Sequence, residues 1–254
     1  MKATKTILIP FVSSLVLMPS MGSAGEKIGD FTLSANLTLT SNYITRGFTQ
    51  THDRPAIQGE IGAMHDLGFY AGIWASNVRL VTDDGAVAEV DYYGGYSKTL
   101  ENGFMFDLGY AYYDYPGSDE ALEYGFGEYY LQLGYTLPEQ APLSGLGLRV
   151  KYLYTPDYYG STASESASYV DSRLNYRLPY EIGLGAHLGY SFGEYFDNVG
   201  AADDYDSYTD FSVSLSRALE GFDFKVTYYG TDSDGETLGA TDLDRVGVSV
   251  SKSF

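Results

Sequence analysis

The sequence predicts an all-β fold, a transmembrane antiparallel up-and-down β-barrel of about 12 strands that follows a cleaved signal peptide. Three observations support this fold class. The N-terminus carries a short apolar segment behind two lysines, apolar and polar residues then alternate with a period of two, and the intervening segments are alternately long and short. No apolar run reaches the ~18 residues that a spanning helix needs, so a helical membrane bundle is excluded.

Composition narrows the possible function classes. The 254 residues include 34 acidic and 15 basic side chains, a net charge of −19, and no cysteine. A nucleic-acid partner is excluded because phosphate binding requires a basic surface. The absence of cysteine excludes zinc–thiolate sites, disulfide scaffolds and thiol catalysis. The aromatic fraction of 16% is too high for a disordered acidic chain, so we expect a folded β protein.

The N-terminal segment has the order of a secretory signal. Lys2 and Lys5 precede an apolar stretch, and small residues follow it up to Ala24. We therefore predict a signal peptide over 1–24 and an outer-membrane barrel over 25–254; the alternative is an N-terminal membrane anchor that is retained. Cleavage removes two lysines and no acid, which leaves 13 basic and 34 acidic residues and a net charge of −21.

Strict alternation identifies the strands. From Phe31 to Leu39 every odd residue is apolar and every even residue is Thr, Ser or Asn, which is typical of a strand with one apolar and one polar face. The pattern recurs clearly and then more weakly over the following segments: 104–113, 146–154, 182–192, 222–229 and 246–254, then 56–64, 69–78, 88–97, 123–136, 169–178 and 208–216. Strands of about 9–11 residues cross the apolar core of a bilayer when they are tilted.

The connectors provide an independent indication. They are predicted at 43–55, 65–68, 79–87, 98–103, 114–122, 137–145, 156–168, 179–181, 193–207, 217–221 and 230–242. The odd-numbered connectors are long, whereas the even-numbered ones are mostly tight turns. Long loops on one side and short turns on the other are typical of outer-membrane barrels. We accordingly predict the outer membrane of a Gram-negative bacterium as the location.

Aromatic residues at strand ends fit a bilayer boundary, where a ring with one polar tip is favoured. The tyrosines predicted at these positions are Tyr43, Tyr112, Tyr135, Tyr154, Tyr190, Tyr208 and Tyr228. Phe254 closes the last alternating strand and is similar to the C-terminal signal that the barrel-assembly machinery reads. The predicted partners are therefore that machinery, outer-membrane lipid and lipopolysaccharide.

The stretch from Ser41 to Val78 resembles the opening of the TorF-type porins, an uncharacterised bacterial outer-membrane β-barrel family. The matching pieces are Tyr43, Arg46-Gly47, Gln50, Pro55-Ala56, Gln58-Gly59, Gly68 to Gly72, Trp74 and Ser76-Asn77, followed by Glu89 to Tyr93 and Gly95 to Ser97. The resemblance extends more loosely to Phe254. It implies an outer-membrane barrel with a porin role, and it implies no particular solute.

The polar face of each strand would line the lumen if the apolar face contacts lipid. The predicted pore-lining residues are Glu60, Glu89, Asp91, Asp107, Glu128, Arg149, Lys151, Arg173, Arg177, Asp210 and Lys225. The strands before residue 137 supply only acids, and the next two supply mostly bases. Opposed walls of this kind predict an electric field across the bore. The alternative is that these charges pair across the lumen and close it.

The long connectors hold 17 acids, of which Asp197, Asp203, Asp204 and Asp206 predict an acidic vestibule. The alternative is a solvated surface that binds divalent cations beside anionic lipid. The spacing from Asp232 to Glu236 lacks the length and register of an EF-hand loop, so we predict no metal site and no cofactor.

These features favour a porin that allows passive diffusion of small hydrophilic solutes or ions, with a preference for cations. The alternative is a non-conducting structural or adhesive barrel that binds ions or a partner through its acidic loops. An outer-membrane lipase would need a serine and a histidine near the lipid face. His52, His65 and His187 are predicted in a loop, in a turn and in the lumen, so we expect no enzyme and no catalytic residues.

Overall fold

The computed structural model describes residues 25–80, 85–118, 124–160, 164–200, 206–238 and 245–254. The strands are β1 (Glu26–Ile28), β2 (Phe31–Thr40), β3 (Ile44–Thr45), β4 (Phe48–Thr49), β5 (Ala56–His65), β6 (Phe69–Asn77), β7 (Ala88–Thr99), β8 (Phe104–Asp114), β9 (Phe126–Thr136), β10 (Gly147–Tyr158), β11 (Glu165–Leu178), β12 (Ile182–Phe192), β13 (Ser207–Leu219), β14 (Phe222–Thr231) and β15 (Arg245–Ser253). Two short helices, α1 (Glu194–Gly200) and α2 (Ser233–Thr237), lie in connectors, and a 3₁₀ turn spans Pro179–Glu181. Within these ranges no helix is long and apolar enough to cross a membrane. The predicted signal peptide lies outside the described residues.

Twelve strands, β2 and β5 to β15, form a closed antiparallel barrel. Each pairs with its neighbours along the chain, and β2 closes the sheet by pairing with β15 on one edge and with β5 on the other. The closure extends to the last residue, because the amide of Phe254 donates to the carbonyl of Ala35 at 2.9 Å. The predicted twelve-stranded up-and-down barrel is confirmed.

The alternating pattern places apolar side chains on the outside of the barrel. Leu37 and Leu39 of β2 are 47% and 48% exposed, and the intervening Thr38 points to the inner face. The same outward stripe continues around the barrel, for example at Ile61, Leu131 and Val248. Such a stripe is stable only against lipid, since burial of apolar surface is what stabilises a fold in water.

The connectors are sorted as predicted. The connectors 66–68, 100–103, 179–181 and 220–221 are short turns at one end of the barrel, where the ten-residue connector 137–146 also lies. The connectors at the other end have six to fifteen residues. We call these the turn end and the loop end. Some strands are longer than their apolar stretches predict, because backbone pairing continues past the last residue of the alternating pattern. Glu165 to Ser168 therefore belong to β11 instead of a connector, and His65 ends β5 instead of lying in a turn.

Gly68 shows why one turn needs a specific residue. Its φ of +105° is rarely adopted by residues with a side chain, and a Cβ there would clash with the carbonyl oxygen of Ser97. The amide of Gly68 donates to the carbonyl of His65, and the amide of Ser97 donates to the carbonyl of Gly68. The turn is thereby fixed to the neighbouring strand.

The predicted tyrosine belt is right in part. Tyr112, Tyr154, Tyr190 and Tyr228 are 38–44% exposed on the outer face near strand ends. The prediction is wrong for Tyr43 and Tyr208, which are 5% and 1% exposed inside the barrel. Tyr208 shares the inward register of Asp210, and Tyr43 belongs to a connector that turns into the bore. Alternation along a strand cannot reveal the direction of a connector.

Leu37→Lys and Thr38→Lys form a matched pair that tests the orientation of the faces. Lysine at position 37 would be placed in the bilayer core and should destabilise the barrel by about 2–4 kcal/mol. Lysine at position 38 would face the lumen and should cost much less. The measurement is reversible unfolding in lipid vesicles. Equal destabilisation by the two lysines would contradict the assignment of the faces.

Candidate functional site

Tyrosines and carboxylates line the inner face of β5 to β9. The hydroxyl of Tyr93 donates to Glu60, and the hydroxyl of Tyr70 donates to Oδ1 of Asp107 at 2.6 Å. The hydroxyls of Tyr70 and Tyr130 also contact each other. Tyrosine is a neutral donor, so it satisfies a buried carboxylate without cancelling its charge. The tyrosine hydroxyls therefore provide hydrogen bonds to Glu60 and Asp107 without adding positive charge to this wall.

Inward-facing glycines receive these tyrosine rings. Tyr93 is the cross-strand partner of Gly72, and Tyr70 is the partner of Gly95. A Cβ at either glycine would overlap the phenol group of its tyrosine. The rings consequently lie against the barrel wall, in the space that a side chain at the glycine position would fill. Glycine in a strand permits this close approach.

Lys151 connects the basic wall to the acidic one. Its ammonium group lies 3.8 Å from the centre of the Tyr130 ring, and its side chain is buried. Asp107, Asp171 and Glu128 are within electrostatic reach of this ammonium. The aromatic face and the carboxylates offset part of the cost of burying this ammonium group. The two walls predicted from the sequence are thus joined at this point.

A second polar cluster joins β11, β12 and β13. Nε of Arg173 lies 2.9 Å from Asp171, and the ring of His187 lies 3.5 Å from both Asp171 and Asp210. The hydroxyl of Tyr169 donates to Asp210 at 2.9 Å. Both carboxylates are almost fully buried. His187 therefore bridges two acids in the lumen, where the sequence predicted only an inward polar residue.

The first long connector, residues 41–55, folds into the bore. Its β3–β4 hairpin carries Arg46, whose Nη2 donates to both carboxylate oxygens of Glu128 at 2.8 Å. The guanidinium lies 4.3 Å from the centre of the Tyr169 ring, and the hydroxyl of Tyr208 donates to the Arg46 carbonyl at 3.0 Å. The connector is thus held by side chains from several strands of the barrel. We call this contact the Arg46 clasp.

Aromatic packing supports the same hairpin. Phe48 meets the Tyr208 ring edge-on at 5.4 Å between centroids. Tyr43 packs on Trp74 and donates its hydroxyl to Glu89 at 3.0 Å. Trp74 thus contacts the inserted hairpin on the inner side of the barrel. The apolar contacts and the ion pair act together, so the loop end of the bore is filled by its own connector.

The Arg46 clasp is a buried ion pair with both side chains at most 4% exposed. Burial alone lowers the pKa of the Arg46 guanidinium, but the carboxylate of Glu128 raises it, and the balance lies well above the usual value. Arg46 therefore stays charged. Removing one partner from a buried pair leaves an uncompensated charge, which is far more costly than removing both.

The predicted pore-lining residues all lie on the inner face, but in two environments. The buried group lies toward the loop end and the middle of the barrel and comprises Glu89, Asp91, Asp107, Glu128, Lys151 and Asp210. Glu60 and Arg173 are half-buried, whereas Arg149, Arg177 and Lys225 are exposed at the turn end. Most of the inward acids are therefore enclosed by tyrosines and bases. The inward charges that solvent can reach include Arg149, Arg177 and Lys225.

The predicted vestibule is described only in part. Asp197 is exposed in α1, and Asp206 is exposed just before β13. Asp203 and Asp204 lie outside the described residues. Across the described ranges, no three acidic or histidine side chains are grouped closely enough to hold a metal ion.

Sequence patterns do not reveal the role of Arg46, which they place only within the first long connector. The signal lies in the composition of the connector. Tyr43, Ile44 and Phe48 are apolar or aromatic residues that a solvated loop does not need. An aromatic connector with a central arginine, next to a barrel with inward acids, is a pattern that indicates insertion.

Comparison with known proteins agrees with this architecture. Residues 24–254 match the profile of a family described as a bacterial protein of unknown function (Gcw_chp). The chain belongs to this family. No curated protein matches the sequence of this family member. The narrower resemblance to TorF-type porins stays a prediction.

Solved structures similar to this family member are porins. One is titled KdgM porin, with a TM-score of 0.57 and 12% identity over 87% of this chain and 99% of that one. A KdgM porin in complex with disordered oligogalacturonate has a TM-score of 0.54 at 11% identity and covers 87% and 98% of the two chains. A NanC porin has a TM-score of 0.54 at 11% identity and covers 86% and 97%. At such identities the likeness is one of fold.

Arg46→Ala should release the inserted hairpin. The change leaves Glu128 charged and unpaired, and we expect it to weaken insertion by about 3–5 kcal/mol. The reporter is the amide of Gln50, which donates to the Tyr43 carbonyl at 2.7 Å. Its hydrogen exchange should accelerate on the order of 100-fold or more, because exchange follows the free energy of local opening.

Arg54→Ala is the matched control, since Arg54 is an exposed base of the same connector. It should leave the exchange of Gln50 unchanged. Replacing Glu128 by Gln in the Arg46→Ala background should restore part of the protection, because the unpaired buried charge is then removed. Unchanged exchange in Arg46→Ala would show that the clasp does not hold the hairpin.

Proposed function

We propose that this protein is an outer-membrane porin through which small hydrophilic solutes and ions diffuse passively. The observation that carries the proposal is the closed twelve-stranded barrel with an apolar exterior and a charged, tyrosine-rich interior. A spanning barrel satisfies every backbone hydrogen bond without an edge, and its inward polar face provides a hydrated path. The porin fold of the similar structures and the TorF-type resemblance support the same reading.

The proposed environment follows from the same features. The outward apolar stripe fits outer-membrane lipid, with lipopolysaccharide around the loop end. Phe254 is 56% exposed at the end of β15, where the barrel-assembly machinery would reach it. The role is that of a channel without chemistry, and we assign no catalytic residue and no cofactor.

The inserted hairpin defines how the channel would work. Arg46 and Phe48 occupy the bore at the loop end, so the described conformation is narrow there. We propose that the first connector forms the constriction and that the remaining cross-section sets the size of the solute. The pore-lining role of the eleven inward charged residues is part of this proposal.

The filled loop end also favours the second candidate, a non-conducting barrel that binds ions or a partner through its acidic loops. In that reading the Arg46 clasp and the aromatic packing around Phe48 seal the lumen permanently. The two candidates differ in one measurable property, which is steady ion flow through a correctly folded barrel.

Planar-bilayer recording of the refolded chain 25–254 distinguishes them. We expect steady ohmic openings from the wild-type barrel. The double variant Arg46→Ala with Glu128→Gln should give a larger unit conductance, because the Arg46 side chain no longer occupies the bore and no unpaired charge is left buried. A folded, inserted barrel that conducts in neither form would contradict the porin proposal and favour the structural class.

Cation preference stays a prediction, and two parts of the chain act on it in opposite directions. The long connectors carry Asp197, Asp203, Asp204 and Asp206, which attract cations to the outer entrance. The exposed lumenal bases at the turn end attract anions. Which group dominates depends on where the ion path is narrowest.

Replacing Asp203, Asp204 and Asp206 together by Asn tests the acidic vestibule. In a KCl gradient the wild-type reversal potential should be biased toward cations, and the triple variant should shift it toward zero, more strongly at low salt. Exchanging the exposed Asp30 for Asn near the turn end is a control that should have no effect. An anion-biased wild-type potential would instead place the filter at Arg149, Lys151, Arg173 and Arg177.

A further inference from the structure

We propose that the turn end of the bore contains a binding site for a small carboxylated solute of the sugar-acid class, held between Arg177 and Lys225. The proposal deepens the porin function, on which it rests for the access of solutes to the lumen. The site lies in a cavity of about 340 Å³ on the inner face of β11 to β14. This volume falls within the range of small-molecule pockets, about 300–1,000 Å³.

The register of four strands brings the two bases into one row. Arg177 is the cross-strand partner of Gly183, Gly183 is the partner of Ser216, and Ser216 is the partner of Lys225. Three strand spacings separate the two cations, roughly 14 Å between Cα positions. The inner face of a barrel is concave, so long side chains at the two ends of such a row converge over the small residues between them.

The next row supplies neutral hydrogen-bonding groups. Asn175 is the partner of Gly185, and Gly185 is the partner of Ser214. An amide and two serine hydroxyls therefore face the space between the cations. They offer donors and acceptors for the hydroxyl groups of a sugar, whereas Arg177 and Lys225 offer the charge for its carboxylate.

The floor of the cavity is kept open by glycine. Cβ atoms at Gly183 and Gly185 would crowd the hydroxyls of Ser216 and Ser214. The other inward glycines described above receive a tyrosine ring, but no ring covers these two among the described residues. The cavity is thus the part of the inner wall where the glycine positions remain uncovered.

The two bases make no ion pair with any side chain in the part of the chain that the structure describes. Arg173, by contrast, pairs with Asp171, and it lies within electrostatic reach of Lys225. Asp223 lies on the same face two residues from Lys225, and Arg149 adds a further exposed base. The bases Arg177, Lys225 and Arg149 therefore outnumber the acid Asp223 around the cavity.

The chemistry of the two cations favours a carboxylate on a sugar over a neutral sugar. Arginine forms paired hydrogen bonds with a carboxylate, and lysine adds a compact charge that can approach from the other side. The acidic loop end does not cancel this attraction. A ten-residue strand separates the two ends by roughly 25 Å or more, several times the ~8 Å screening length at physiological salt.

Calorimetric titration of the refolded barrel in a zwitterionic detergent at low salt tests the site. The probes are glucuronate, glucose and inorganic phosphate. We expect glucuronate to bind at least about tenfold more tightly than glucose, as for the gain of a charge-assisted hydrogen bond. Arg177→Gln and Lys225→Gln should each remove most of that preference. Gly185→Leu should abolish binding with all charges intact, because its side chain fills the cavity.

Arg217→Gln is the matched control, since Arg217 is an exposed base on the outer face of neighbouring β13. It should bind glucuronate like the wild type. Equal affinity for glucuronate and glucose, or unchanged binding in both cavity variants, would overturn the proposal. Phosphate binding without a preference for glucuronate would show that the site binds anions in general and would overturn the assignment to sugar acids.

The titration needs no ion flow, so it tests the binding site separately from the channel. A barrel that binds glucuronate but does not conduct refutes the porin function alone. A barrel that conducts but does not bind glucuronate refutes only this site.

Discussion

Closure of the sheet is the constraint on which the rest of this structure depends. Within a bilayer no water can pair with a free strand edge, so β2 must bond to both β15 and β5. Closure of an entirely antiparallel sheet requires an even number of strands, and the alternating strand direction places every second connector at the same end. It also creates an inner face that is removed from lipid, and every side chain on that face must find either water or a partner.

The inner face meets this demand differently at its two ends. Toward the loop end, buried carboxylates find tyrosine hydroxyls and two inserted or inward cations, Arg46 and Lys151. Tyrosine hydroxyls bond to carboxylates without supplying positive charge, so the demand for a cation at Glu128 has to be met by another segment. The first connector meets part of that demand from outside the sheet. Insertion of the hairpin thus depends on Glu128 of the acidic wall, which pairs with Arg46, as well as on the aromatic residues of the hairpin itself.

The barrel could be predicted from the sequence because its pattern is set by a regular backbone. Alternation with a period of two assigns Leu37 to lipid and Glu128 to the lumen without knowledge of any contact. Connectors have no such period, so the same reasoning places Tyr43 at the bilayer boundary and gives no position for the Arg46 side chain. Strand ends were missed for a related reason, since pairing at Glu165 continues where the apolar pattern has stopped. Contacts between distant segments decide these features, and a local pattern does not contain them.

The positions at which tyrosine rings lie over inward glycines determine where the inner wall is thick and where it is thin. Gly72 and Gly95 face cross-strand tyrosines, whose rings cover them and thicken the wall toward the acidic side. Gly183 and Gly185 face serines instead, so their strands form a thin wall beside the exposed bases. At the turn end, the path of the proposed channel therefore runs along the uncovered part of β12 and β13 and passes Arg177 and Lys225. The charges that a solute meets at the turn end are then positive, although the barrel as a whole is strongly acidic.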